Sequence, residues 1–422
     1  MLCTLSCALH KGELTLSSRE TALKILYEVE KNGAYCDREL KKQLASADLS
    51  SADNSLVTEL VYGVIKNKTR LDYIIAKRSS QPLKKLSVWI LNILRLGIYQ
   101  MEFLDKIPQS AAVNESVKLA KRYGHNASAG FVNGVLRGHT RHPAVKYPSG
   151  REYYEVYYSH PKWIVDMLFE QYGEQTATEI IIANNQTPTT TVRVNRLKDA
   201  GAEPVRNICG GNISQMHDFQ SGMFTVQDIS AYKASLALDP KKGQLIIDLC
   251  AAPGGKTTHI AEITGDRAEI VAFDIHPHKI ELIQKNAARL GIMSIQTVLH
   301  DATELNEKYI GRADRVLADV PCSGLGIIRK KPDIKWTKKA EDIAELIKIQ
   351  MKILQTGSEY VKAGGILVYS TCTLNKNENE GVVEAFIKNN PFEILEQKTI
   401  LTGDGGGDGF HICKLKRKRT DK

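Results

Sequence analysis

From Gly243 onward the sequence alternates short apolar runs with amphipathic stretches, and this alternation constrains the fold more than any other feature. Leu245–Leu249, Ile270–Phe273, Ile295–Leu299, Arg315–Ala318 and Ile366–Tyr369 read as strands, and Pro277–Leu290 and Glu341–Lys362 read as helices between them. Strands that are apolar on both faces fit a parallel sheet covered by helices on each side. Ligands of such sheets bind beyond the carboxyl ends of the strands. This sequence keeps its polar residues there.

Each strand end offers a group. The first runs into Leu249–Lys256, LCAAPGGK, so that Cys250, Ala251, Ala252, Pro253, Gly254, Gly255 and Lys256 form a strand-to-helix turn. Pro253 presets one backbone angle, and two glycines without Cβ let backbone N–H groups approach a ligand. The second strand ends at Asp274, nineteen residues after Gly255, the usual spacing for a carboxylate that meets a ribose. The third gives Asp301, the fourth Asp319 followed by Val320-Pro321-Cys322, the fifth Ser370-Thr371-Cys372. A single Asp at a strand end is commonly a turn or cap residue. Three on successive strands, with the glycine turn, point to a site.

The N-terminal third reads differently. Ser17-x-x-Glu20 is a capping box opening a helix with Leu23, Leu26 and Tyr27, and further helices are predicted over 55–67, 71–76, 88–104, 110–123 and around Phe131–Leu136. No β-period alternation occurs through residue 138. Residues 1–16 read as irregular, and 141–150, with Pro143, Pro148 and Gly150, as a linker. Residues 151–235 combine a helix from Ser159 with strands at 189–195 and from 225. The expected organisation is an all-α domain over 1–142, a small α+β module over 151–235 and an α/β domain over 236–418.

Composition narrows the setting. The formal net charge of +9, from 57 basic and 48 acidic residues, tilts toward a polyanionic partner. The eight cysteines are scattered without CxxC pairs, which argues against a disulfide framework or a structural zinc, so no metal is expected. Residues 86–104 are apolar but carry Asn92, Arg95, Gln100 and Glu102, fitting a buried helix better than a membrane span. The opening residues lack the basic region of a signal peptide, and a reducing, cytoplasmic setting is expected, with no membrane and no protein partner implied.

The glycine turn departs from GxGxxG, which disfavours a nicotinamide cofactor. Turn and acids together resemble the S-adenosylmethionine-dependent methyltransferases. That resemblance implies S-adenosyl-L-methionine as cofactor, with Cys250–Lys256 against its methionine part, Asp274 on the ribose and Asp301 on the adenine. Two cysteines at ligand-side strand ends narrow the chemistry. Carbon 5 of cytosine is a poor nucleophile until a thiolate adds at carbon 6, and a carboxyl group such as Asp319 near the ring nitrogen stabilises the activated base. Cys322 and Cys372 are both candidate thiols, and spacing does not choose between them. Free cysteines are also common as small buried residues, and Cys250 reads as one.

Three longer motifs, LCAAPGGKTTHIAE, DVPCSGLGIIRKKPDIKW and YSTCTLNKNENEGVV, resemble the NOL/NOP/Sun family of RNA cytosine-C5 methyltransferases, with the closing GDGF of Gly407–Phe410. Arg19–Glu30, Gln109–Gly124 and Phe131–Arg137 resemble the NusB family of helical RNA-binding domains. The resemblance implies a multidomain fold: an all-α NusB-like N-terminal bundle, a small α+β module and a Rossmann-like methyltransferase domain. It places the attacking thiol at Cys372, gives Cys322 to product release, and implies small-subunit (16S) ribosomal RNA, protein-free or early in assembly, as substrate. Such a base must leave its stack, and Arg329, Lys330, Lys331, Lys335 and Trp336 read as a clamp for single-stranded RNA. The basic tail Lys414–Lys422 reads as a solvated end. The same chemistry on another RNA such as tRNA, a non-catalytic NusB-like RNA-binding factor, an amino-methyltransferase and a zinc enzyme are the competing readings.

Overall fold

The computed structural model describes residues 17–208 and 212–419. The expectation of irregular structure over 1–16 lies outside them. The chain divides into two compact units, Met1–His160 and Pro161–Lys422.

Over its described residues the first unit is built of helices, as its periodicity predicts. Helices run Ser18–Asn32, Cys36–Ser46, Ser51–Lys66, Lys68–Arg78, Val88–Phe103, Gln109–Tyr123 and Ser128–Arg141, followed by Arg151–Val156. Ser17, Ser50 and Ser87 cap three of them by accepting N–H groups of Glu20, Asp53 and Ile90. The helix Val88–Phe103 shows why an apolar segment carries polar residues. Arg95, 3 % exposed, donates to both oxygens of Asp72 at 2.7 and 2.8 Å and to Glu30 at 2.5 Å. Asn92 donates to Glu30 at 3.0 Å, and Gln100 accepts from Arg19 at 2.6 Å. Buried polar groups are tolerable when paired in this way. Among the described residues no helix is long and apolar enough to cross a membrane. Arg151–Val156 falls in this unit and not with the module that the sequence expectation assigned it to. Its Tyr153 and Tyr157 stack, and Tyr157 meets Tyr147 edge-on.

The second unit holds two sheets. The smaller is antiparallel in the order β2-β1-β3, with β1 Thr190–Val194, β2 Val205–Ile208 and β3 Phe224–Val226. The larger has seven strands: β4 Leu245–Asp248, β5 Glu269–Asp274, β6 Ile295–Leu299, β7 Ala313–Asp319, β8 Val361–Thr371, β9 Phe392–Ile400 and β10 Phe410–Arg417. Their order is β6-β5-β4-β7-β8-β10-β9. The first five are parallel, and the last two are added antiparallel. After β6 the chain crosses back to place β7 on the other side of β4, so the crevice opens at the carboxyl end of β4, where strand order reverses. Buried side chains cover both faces, Ile247, Val316 and Leu367 on one and Ile246, Leu317 and Val368 on the other.

Arg193 on β1 ties the small sheet to this crevice. It is 1 % exposed, grips both oxygens of Glu262 at 3.0 and 2.9 Å, and donates to the Gly255 carbonyl at 2.7 Å. Removing one partner of such a buried pair typically costs about 3–5 kcal/mol, so the module and the helix Gly255–Ile263 hold together.

Candidate active site

At the end of β4 the chain turns sharply. Leu249 N–H bonds the Leu317 carbonyl, Ala251 N–H the Phe273 carbonyl, and Gly254 N–H the Ala251 carbonyl, at 2.9, 2.9 and 2.8 Å. Gly254 has φ +99°, a conformation that L side chains rarely adopt, and a Cβ on Gly255 would meet nothing within 4 Å. The turn is therefore open on the side where a ligand would approach.

Beside it lies a cavity of about 530 Å³ lined by Cys250, Ala252, Asp274, Asp301, Asp319 and Ile353, among others. The sequence-predicted acids meet there. One oxygen of Asp274 accepts His276 N–H at 3.0 Å, and one of Asp301 accepts the Thr303 N–H and hydroxyl, both at 2.8 Å. The Thr303 amide holds the Asp301 carboxyl below its ordinary range. A smaller cavity of about 180 Å³ adjoins Cys250, Lys256 and Asp319 and is bounded by Asp248. Asp248 is 2 % exposed. One oxygen accepts Thr257 Oγ1 at 2.7 Å, and among the described residues the other has no hydrogen-bond partner of good geometry, although the Cys250 amide acts on the carboxyl. Burial pushes its carboxyl up to about 7, with the charge of Asp319 adding to the effect. Burial and the same acids raise the Cys250 thiol, which stays neutral. An open glycine turn, acids around a cavity of this size and a buried carboxylate oxygen facing the adjoining one fit S-adenosylmethionine, whose ribose and amino groups are donors.

The second half of the site hangs from β7 and β8. Their register sets Asp319 against Ser370, and Ser370 Oγ donates to Asp319 at 2.8 Å. Lys256 Nζ donates to the other Asp319 oxygen at 2.6 Å. Burial alone would lower the Lys256 ammonium, but the Asp319 carboxylate outweighs it and raises it. Beyond the strands, Cys322 and Cys372 bring their sulfurs to 3.3 Å. The hydrogen bond shared with Cys322 lowers the Cys372 thiol against burial and the Asp319 charge, with Lys256 and Lys331 helping. The same bond and burial raise Cys322. Gly326 locks the two loops. Its N–H bonds the Cys372 carbonyl at 3.0 Å, and a Cβ there would sit 2.0 Å from the Gly409 carbonyl oxygen. The GDGF turn thus packs directly under the Pro-Cys loop.

The expected clamp is corrected at three positions. Arg329, 6 % exposed, donates to Asp408 at 2.8 Å and to the Gly406 carbonyl at 2.6 Å. Lys330 bridges Asp228 and Asp408 at 2.5 and 2.8 Å. Lys335 is 1 % exposed, its ammonium 3.4 Å from Asn185. Arg329 and Lys335 are buried inside the unit and the partly exposed Lys330 is held by two acids, and a run of basic residues gives no sign of that. Lys331 is exposed and Trp336 half-buried. Lys414–Arg417, expected in a solvated tail, form the end of β10, and residues 420–422 lie outside the described chain. Two acids escape the sequence reading: Asp248, hidden at the end of an apolar run, and Glu378, one carboxylate within NKNENE.

The comparisons with known proteins give the family and the fold. Residues 235–416 match the family model for the 16S rRNA methyltransferase RsmB/F, residues 16–141 that of the NusB family, and residues 160–207 that of an RsmF/B-like ferredoxin-like domain. The probable ribosomal RNA small subunit methyltransferase B of Bacillus subtilis (strain 168) is 39% identical, over 95% of this chain and 99% of its own. The ribosomal RNA small subunit methyltransferase B of Klebsiella pneumoniae (strain 342) is 35% identical over 88% and 92%. The crystal structure of PH0851 superposes with a TM-score of 0.78 at 23% identity, over 94% of this chain and 98% of that one. NSun6 from Pyrococcus horikoshii, solved with SFG, superposes at 0.56 and 21% identity over 62% and 99%. At those identities the two structures speak for a shared fold.

Proposed function

The chain belongs to the RsmB/F family of 16S rRNA methyltransferases, and from that premise we propose that it methylates carbon 5 of a cytosine in small-subunit ribosomal RNA through a covalent bond from Cys372. As a member of the family it is an S-adenosylmethionine-dependent rRNA methyltransferase. The covalent route, the residues and their roles are our reading.

Bound S-adenosylmethionine supplies an electrophilic methyl group; the glycine turn, Asp274 and Asp301 would hold it in the larger cavity. The target cytosine leaves its stack to enter the crevice. Cys372 adds its sulfur to carbon 6, and the electron pair of the carbon 5–carbon 6 double bond moves into the ring, toward the nitrogen that Asp319 faces. Carbon 5 would then take the methyl group as its bond to the cofactor's sulfur breaks, with S-adenosylhomocysteine as the leaving group. Transfer of the carbon 5 proton to solvent water restores the double bond as the carbon 6–sulfur bond breaks and Cys372 leaves as thiolate, a departure that Cys322 assists. Lys256 serves both stages by keeping Asp319 in place and favouring a negative sulfur.

The observation that carries this reading is the thiol pair: two sulfurs 3.3 Å apart, with the lowered one on the Thr-Cys loop beside Lys256. The helical unit and the exposed Lys331 are the proposed RNA contacts, with protein-free or early-assembly RNA in the cytoplasm as the substrate. The test is transfer of labelled methyl groups to protein-free small-subunit rRNA, with the product mapped by bisulfite sequencing. One protected cytosine is expected; labelled RNA with none rules out carbon 5. Cys372→Ala should abolish transfer and keep cofactor binding, while Cys322→Ala should accumulate a protein–RNA adduct. An adduct in Cys372→Ala instead reverses the roles.

A further inference from the structure

We propose that Glu378 is a positioning residue that divides the labour between the two thiols, by tying the Pro-Cys loop to the Thr-Cys loop and holding a negative charge on the Cys322 side. This deepens the reading that Cys372 attacks and Cys322 assists, and rests on it. Glu378 is fully buried, at 0 % exposure. One of its oxygens accepts the Ser323 N–H at 2.8 Å and Gln350 Nε2 at 3.0 Å. The other accepts Ser323 Oγ at 2.6 Å and Asn375 Nδ2 at 3.2 Å. Ser323 Oγ lies 2.7 Å from Thr373 Oγ1. Ser323 follows Cys322 and Thr373 follows Cys372, so one carboxylate fixes the residue after each thiol.

Every one of these donors is neutral, and no cation pairs with Glu378 among the described residues. A buried carboxylate without a counter-ion is costly to keep for scaffolding alone, since a neutral acceptor would satisfy most of the same donors. Its charge acts on the neighbouring sulfur. The groups facing the pair are unequal: besides Cys372 itself and burial, Glu378 acts on Cys322, whereas Asp319, Lys256 and Lys331 act on Cys372. Glu378 adds to the Cys372 contact and to burial in raising the Cys322 thiol, which favours Cys322 as the donor of the shared hydrogen bond. Attacker and helper are thereby distinguished before RNA arrives.

The test is alkylation of the full-length protein by iodoacetamide across pH, with Cys322 and Cys372 quantified separately by peptide mass spectrometry. In the wild-type protein Cys372 should react faster. Glu378→Gln keeps the shape and removes the charge. It should bring the Cys322 titration down by about one unit and narrow the reactivity ratio about tenfold, while S-adenosylhomocysteine affinity stays within about twofold. An unchanged ratio overturns the role of Glu378 and leaves the Cys372 reading standing. A ratio that narrows only together with lost S-adenosylhomocysteine binding also overturns it, because damage to the fold then explains both. Faster alkylation of Cys322 in the wild type overturns the Cys372 reading itself. Should Glu378→Gln fail to fold, Ser323→Ala removes one tie and keeps the backbone one. Because that variant keeps the charge, an unchanged or wider ratio supports the proposal and a narrowed one overturns it.

Discussion

The two halves of the active site are held together in different ways. In the cofactor half each acid is braced by its own turn, Asp274 by the amide of residue 276 and Asp301 by residue 303, two positions along the chain. In the thiol half the braces span long distances in sequence. Glu378 reaches Ser323, Gly326 meets Cys372, and Gly409 N–H bonds the Gly326 carbonyl at 2.8 Å. A change in the first half is therefore expected to weaken one contact, and a change in the second to disorganise several. This difference predicts how variants should behave.

The largest effect is expected from Gly326→Ala. Its Cβ would lie 2.0 Å from one backbone carbonyl oxygen and 2.9 Å from that of Cys372, and backbone yields far less readily than a side chain. Displacing a reacting group by about 1 Å costs on the order of 100-fold in rate, so turnover should fall by at least that while cofactor affinity holds. Equilibrium binding of S-adenosylhomocysteine beside single-turnover methylation measures both. Equal losses in the two would mean that the halves are not separable. Asp274→Asn is the converse. Losing one charge-assisted contact of about 1.5–3 kcal/mol should raise the KM for cofactor roughly 10- to 100-fold and leave kcat at saturation near normal. A fall in kcat at unchanged KM would place Asp274 in the chemistry and not in binding.

Lys256 sits where the halves meet, and its removal sharpens the comparison. Its cation lowers the Cys372 thiol and its partner Asp319 raises it. Lys256→Met removes the first influence and leaves the second unopposed, so the acidic limb of kcat/KM should move to higher pH. About one unit, or tenfold in rate on that limb, is the expected size. A limb that stays in place would detach Lys256 from the thiol.

The same contrast explains what is legible in the sequence. The five parallel strands announce themselves as apolar runs, and the acids at their ends follow from strand boundaries alone. β10 escapes because His411, Lys414 and Lys416 interrupt its apolar residues, although His411 is fully buried between neighbouring strands. β9, an edge strand, is largely exposed and carries no such signature. Glu378 looks like any solvated carboxylate until Ser323, 55 positions away, is seen bonded to it. Arg329 and Lys335 mislead for the same reason, since nothing local marks a basic residue as buried. The choice of Cys372 over Cys322 comes from family resemblance, and in physical terms it depends on charges brought in from three separate segments.

Asp248 is the exception in the cofactor half, and it gives the smallest effect. It is local to the glycine turn, yet among the described residues one oxygen has no hydrogen-bond partner of good geometry, and burial raises its carboxyl to about 7. The unfolded chain releases this proton near the ordinary value of about 4. Between these values the folded protein binds more protons than the unfolded one, so this group makes stability fall as pH rises from about 4 to about 7, and adds no slope above. Asp248→Asn removes the contribution and can still accept the Thr257 hydroxyl. The variant's advantage in melting temperature over wild type should therefore grow with pH across that window and level off beyond it. A gap that opens across that window is expected in scanning fluorimetry of the ligand-free protein. A gap constant from pH 4 to pH 8 would mean that Asp248 is ionised throughout, with a donor at its second oxygen. The exception would then vanish, and every acid of the cofactor half would be braced by its surroundings.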